Sequence, residues 1–226
     1  MKTAIRAASH ALALGALLVS GAVWTISQQH PLYANPGRLL RLPAAVVDAS
    51  QPTEQAFRIG EVLNQYTHDR ALAFRIADAL VAQGKKENID PALLVGVLLT
   101  EDADLNPRAK SSVGARGLMQ VMPVIGKAIA HGLRYPYWNP DLLYEPDVNL
   151  ELGIAHLRAM LSGRDPARAL AAYNAGDGRV SRWLKKPGAS DPEVFVERIP
   201  FVETRDYVRI VLRNRDIYRA LYFTNP

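Results

Sequence analysis

Repeated helix punctuation constrains this chain more than any other feature of its sequence. Asp90 and Pro91 form a pair in which the aspartate can accept a hydrogen bond from an otherwise orphaned helix N–H, while the proline sits in the first turn, where its missing N–H costs nothing. Asp165 and Pro166 repeat the device and open a helix that runs through Tyr173 and stops at Gly176. Leu72, Ile76 and Leu80 recur at helical spacing from about Arg70, with Gly84 as the expected stop. Asn149 is expected to cap a helix whose apolar stripe is Leu150, Ile154, Leu157 and Leu161, ending at Gly163. A last helix from about Thr204 to Leu221 carries Tyr207, Ile210, Val211, Ile217 and Tyr218 on one face, with Asn214 as a satisfied core amide. Strand signals are almost absent. Only the stretch from Val113 to Met122, Gly-rich at its start, can hold short extended pieces, so the expected fold is mostly α with at most a very small β element.

The 226 residues suit one well-buried domain with extensions. Lys2 and Arg6 precede a run from Ala7 to Ile26 that lacks acidic residues, the pattern of export targeting. It reads either as a cleavable signal with small residues at Ser20 and Ala22, or as an uncleaved membrane anchor. From Ser27 to Tyr66 the chain is polar and broken by Pro31, Pro36, Pro43 and Pro52, which predicts a tether with one helix after Thr53. The expected division is therefore 1–26 for targeting, 27–66 for the tether and 67–226 for the catalytic domain.

Composition removes several function classes. The chain has no cysteine, which excludes disulfides, thiolate metal sites and cysteine nucleophiles. Its five histidines show no HExxH or similar spacing, so neither a metal nor another cofactor is expected. The formal charge of +5 suits an anionic polymer or surface. No basic run interleaved with aromatics and no nucleic-acid-binding signature accompanies it, so nucleic acid is not an expected partner.

Chemistry enters at Glu101. The stripe Leu94, Val97 and Leu98 continues at helical spacing onto this glutamate, placing a carboxylate where the core expects a hydrophobe. Burial disfavours the charged form, and such a side chain keeps its proton near neutrality, as a general acid must. The bland alternative is escape to solvent at the helix end, or pairing with Arg116.

The segment from Glu101 to Pro123 shifts the balance toward the first reading. It contains Glu101, Asn106-Pro107, Ser111, Gly114-Ala115 and the run Gly117-Leu-Met-Gln120, and it resembles the signature of the soluble lytic transglycosylase (SLT) family, glycosidases of lysozyme-like α+β fold. Two more blocks follow in the family's order, Ala172-Tyr-Asn-Ala-Gly176 and Ile199-Pro-Phe-Val-Glu-Thr-Arg-Asp-Tyr-Val208. The resemblance implies that Glu101 is the single catalytic acid and base, and that Ser111, Gln120, Met122 and Tyr173 line the sugar groove, with Glu203 as a second acidic position near it. It implies peptidoglycan glycan strands as substrate, cleaved by a lyase-type route to 1,6-anhydro-muramyl ends.

The residue types suit those roles. Gln120 offers an amide, Met122 a soft apolar wall and Tyr173 a hydroxyl on a flat body. Core packing for Met122 and Tyr173, turn bonding for Gln120 and Ser111, and a helix-start position for Glu203 are the competing structural readings. The chain departs from the family pattern at Asp102, where serine is usual, and at Leu105, where an aromatic often stands. If the helix continues, Asp102 projects about 100° around it from Glu101, toward a solvated or structural role. A hydrolytic muramidase of goose-type lysozyme character, with Asp102 or Asp104 holding a water, is the nearer alternative. A noncatalytic peptidoglycan-binding protein is the further one.

Overall fold

The computed structural model describes residues 53–220. Residues 1–26, expected to serve targeting, and residues 27–52 of the expected tether lie outside them. Within residues 53–220 nine α-helices follow one another: α1 Glu54–Leu63, α2 Arg70–Glu87, α3 Pro91–Glu101, α4 Pro123–Gly132, α5 Pro146–Leu161, α6 Pro166–Ala175, α7 Asp177–Trp183, α8 Pro192–Glu197 and α9 Val202–Tyr218, with a 3₁₀ turn at Pro140–Tyr144. Among the described residues there is no strand. The stretch expected to hold extended pieces contains two isolated antiparallel bridges, from Arg116 to Lys110 and to Val121. Its turns are closed by Arg116 N–H to Val121 C=O at 3.1 Å and Val121 N–H to Arg116 C=O at 3.0 Å.

The caps explain most helix starts. Thr53 Oγ1 accepts from Ala56 N–H at 3.2 Å, Asp69 from Leu72 at 2.9 Å, Asp90 from Ala92 at 2.9 Å and Asp165 from Arg168 at 3.2 Å. Two boundaries differ from the sequence reading. Gly84 does not end α2, which continues to Glu87 and stops at Asn88 in the left-handed conformation, φ 53°. Nor does Asn149 cap α5. That helix starts at Pro146, and Asn149 is a fully buried residue of its first turn.

α3 is the axis of the molecule. Every residue from Ala92 to Thr100 is buried, so the helix is apolar on all sides and neighbouring elements surround it. α9 lies against it at backbone range, where a Cβ at Gly96 would stand 3.1 Å from the Val211 carbonyl oxygen and 3.4 Å from Arg215 N. At the far end of α9, Arg219 Nε donates to Asp90, the N-cap of α3, at 3.1 Å. Ile59, Val62 and Leu63 of α1 share the core with α2 and α3. The packed unit therefore includes α1, so the helix expected after Thr53 forms but is part of the core rather than of a tether.

Candidate active site

α3 ends at the candidate acid. Glu101 is its last residue, and Asp102 leaves the helix with extended backbone, φ −146°, while its N–H still reaches the Leu98 carbonyl at 2.9 Å. The chain then turns tightly, Leu105 N–H bonding Asp102 C=O at 3.3 Å. Leu105, buried, takes the left-handed conformation at φ 50°, a strained choice for a branched side chain that the surrounding packing enforces.

Glu101 is partly buried, and loss of water around its carboxyl pushes its pKa up to about 7. A facing Tyr207 hydroxyl opposes this by favouring the anion, and the neighbouring Asp102 charge adds to it. Arg116 does not pair with Glu101. Its guanidinium binds Asp141 at 2.6 Å and lies over the Tyr144 ring, 5.1 Å from the centroid. The bland reading of Glu101 as an ordinary ion-pair partner thereby fails.

Two tyrosines flank the carboxyl. Tyr173, on α6, donates its hydroxyl to the Met119 carbonyl at 2.9 Å and packs its ring against His156, centroids 4.9 Å apart. Burial first, and then the Glu101 charge, hold its phenol well above the usual range. Tyr207, on α9, is buried with its hydroxyl toward Glu101 and Tyr173, yet that oxygen makes no hydrogen bond of regular geometry. The sequence reading put Tyr207 on the apolar face of the last helix, where its ring does belong. Periodicity cannot see that the hydroxyl reaches past that face, although the block from Ile199 to Val208 that carries the family resemblance includes it.

The loop opposite is held by a residue whose role the sequence reading misplaced. Asn149 donates Nδ2 to the carbonyls of Arg116 and Leu143, both at 2.8 Å, and accepts the Met119 N–H at 2.8 Å. Gly117 fits beneath it with φ 70°, and a Cβ there would fall 2.3 Å from the Leu143 carbonyl oxygen. Gln120, at φ 46°, folds its amide nitrogen back onto the Gly117 carbonyl at 2.8 Å, leaving its side-chain oxygen uncommitted. Met122, partly buried, precedes α4. Ser111 Oγ accepts the Ala115 N–H at 3.0 Å and closes its own turn. Glu203 lies in the first turn of α9, one turn before Tyr207, its pKa raised by partial burial. Beside it Thr204 donates to the Asn174 side-chain oxygen at 2.8 Å, so Asn174 ties α6 to α9 through a side chain.

The structure thus brings Glu101, Tyr173 and Tyr207 together and sets the Met119–Met122 segment beside Tyr173. Asp102 is buried rather than solvated, because it leaves the helix instead of projecting around it. Fold and site define a lysozyme-like helical domain with a partly buried carboxyl, Glu101, at the end of its central helix.

Residues 78–196 match the model of the transglycosylase SLT domain, and the chain belongs to that family. It is 34% identical over 196 residues to a soluble lytic murein transglycosylase of Salmonella typhimurium, covering 78% of this chain and 30% of that protein. It is 41% identical over 130 residues to the enzyme of that name in Escherichia coli K12, covering 56% and 20%. Among solved structures it resembles an inactive mutant of the lytic transglycosylase Slt from Pseudomonas aeruginosa, with a TM-score of 0.61 and 33% identity over 74% of this chain and 29% of that one. It also resembles the 70 kDa soluble lytic transglycosylase of Escherichia coli, with a TM-score of 0.61 and 30% identity over 76% and 31%. The chain spans less than a third of the length of each of these relatives.

Proposed function

We propose that this domain cleaves the glycan strands of peptidoglycan as a lytic transglycosylase, in the cell envelope to which residues 1–26 direct it. The observation that carries the reading is Glu101, a carboxyl whose pKa is pushed up to about 7, which has no cationic partner among the described residues and is flanked by two tyrosines. Glu101 protonates the glycosidic oxygen between N-acetylmuramic acid and N-acetylglucosamine. As a carboxylate it then takes the proton of the muramyl 6-hydroxyl, whose oxygen closes on the anomeric carbon, giving a 1,6-anhydro end without consuming water.

One group serves both half-steps, and a pKa near the working pH suits both directions of transfer. The Tyr207 hydroxyl assists the anionic stage, because a donor aimed at a carboxylate stabilises that form. Gln120 presents its free side-chain oxygen to acetamido groups, while Met122 and Tyr173 form the groove wall and Ser111 and Glu203 stand at its margins. Burial of the Asp102 Oδ2 speaks against Asp102 as the group that would hold a hydrolytic water, which leaves the exposed Asp104 as the residue for that alternative.

The test is digestion of purified peptidoglycan with wild type and Glu101→Gln, followed by mass spectrometry of the ends. Wild type should release anhydro-muropeptides, and the variant should lose at least about 10²–10⁴-fold. Reducing ends from wild type would reassign the domain as a muramidase. No product at all would make it a binding module.

A further inference from the structure

From Leu105 to Pro140 the chain carries Arg108, Lys110, Arg116, Lys127 and Arg134 and no acidic residue. The formal charge of the whole sequence, +5, equals the charge of this one stretch, so the remainder is balanced. Of these cations only Arg116 meets a carboxylate among the described residues, that of Asp141. Apolar surface gathers in the same stretch. Val124 is 68% exposed, Tyr137 65% and Leu133 41%, while the other large hydrophobics left this open, Phe201 and Val202, stand at the start of α9.

Local structure gathers these residues on one lobe. α4 buries Gly126 and Ala130, with Ile125 and Ile129 half-buried beside them, so Val124, Lys127, Ala128 and His131 form its exposed face at helical spacing. The helix ends as Leu133 N–H bonds the Ile129 carbonyl at 2.8 Å and Tyr135 N–H the Ala130 carbonyl at 2.9 Å, with Arg134 left-handed at φ 59°. The strap beyond folds back along α4. Trp138 packs on Gly126, where a Cβ would stand 2.7 Å from its ring. Tyr135 turns inward and donates to Glu151 of α5, which also pairs with Lys86 at 3.4 Å. Tyr137, between these two inward rings, is left to solvent.

We propose that α4 and the 133–138 strap form a seat for an anionic phospholipid surface. Aliphatic Val124 and Leu133 offer nothing to the hydroxyls of a sugar. Together with a tyrosine of apolar body and polar tip and with long cationic side chains, they suit the boundary between headgroups and acyl chains. Lys127 and Arg134, free of carboxylates, supply attraction to lipid phosphate, about a fivefold gain in occupancy for each cation near such a surface. Among the described residues no helix is long and apolar enough to cross a bilayer, so the contact is peripheral. α4 begins at the residue after Met122, and a seated domain therefore holds that end of the proposed groove beside the lipid, where it reaches strands lying close to the bilayer. The seat goes beyond the cleavage reading and does not depend on it.

The chain has no cysteine, so Val124→Cys, Tyr137→Cys and, as a reference on α7, Ser181→Cys each accept a single polarity-sensitive dye. The full chain is reconstituted into vesicles of phosphatidylglycerol with phosphatidylcholine, and of phosphatidylcholine alone. Dyes at 124 and 137 should emit at shorter wavelength in the anionic vesicles only, while the dye at 181 reads water in both. Lys127→Glu with Arg134→Glu should lower the ratio of seated to free domain by at least about tenfold. Because the readout is local, attachment of the chain through residues 1–26 does not imitate it. Dyes at 124 and 137 that read water in both vesicles overturn the seat, as does a shift that ignores the charge reversals or extends to 181. A shift produced by glycan strands without lipid also overturns it and makes the lobe part of the substrate groove. Digestion of free peptidoglycan by the charge-reversed protein should match wild type. If wild type makes no product, the cleavage reading fails alone and the dyes still decide the seat. Should Val124→Cys lose its cooperative melt, Tyr137→Cys carries the measurement.

Discussion

At the scale of single residues, the acid that equips the site also taxes the fold. The Glu101 pKa is raised above the ordinary carboxylate value of 4.5 to about 7, so the folded state binds this proton more tightly than the unfolded state does. Its contribution to stability is complete below the ordinary value and is lost as pH rises through the folded one. Glu101→Gln should therefore leave the melting temperature unchanged near pH 4 and raise it at pH 8. The gain at pH 8 should be on the order of 3 kcal/mol, at 1.36 kcal/mol per pKa unit. Melts across that range check it; a variant less stable than wild type at pH 8 would mean that the ionised glutamate is well solvated. Glu101 was legible in the sequence because a charged residue interrupts an apolar period. The burial of Asp102 was not, since projecting it around the helix assumed one more helical residue, and that single step out of the helix reverses where its side chain points.

Among the elements, the 116–121 loop depends on a side chain thirty residues away. Asn149 satisfies two carbonyls and one N–H across α5 and the loop, all from within the core. Asn149→Ala leaves those groups buried without partners and should cost about 2–5 kcal/mol. Denaturant titration measures this. Cleavage should fall further than the remaining folded fraction explains, because Met119 and Gln120 lose their anchor; activity in proportion to folded protein would limit Asn149 to packing. Helix starts at Asp90-Pro91 and Asp165-Pro166 were readable because a cap acts on N–H groups two or three residues on. Asn149 is a cap-type residue whose partners are distant, so local grammar assigned it to the wrong task. The end of α2 was misplaced for a related reason. A glycine inside a helix is tolerated when tertiary packing uses its small size, and the left-handed Asn88 supplies the stop.

For the molecule as a whole, the core extends beyond the stretch that carries the family signature. Removing α1 exposes the surfaces that Ile59, Val62 and Leu63 cover, each worth about 1.5–3 kcal/mol of burial. A chain starting at Arg70 should thus unfold at much lower urea than one starting at Gln51, and equal midpoints would return α1 to the tether. The helix after Thr53 was legible from the sequence, but its packing was not, because the prolines before it made the whole stretch read as a tether. The close approach of α3 and α9 at Gly96 has a wider consequence. Glu101 and Tyr207 belong to different helices, so the distance between acid and hydroxyl is a tolerance set by an interhelical gap with no side chain to cushion it. Catalysis should then be the first property to fail as the molecule softens. In urea below the unfolding transition, cleavage should decline while far-ultraviolet circular dichroism holds steady, and Gly96→Ala should show that decline in buffer alone.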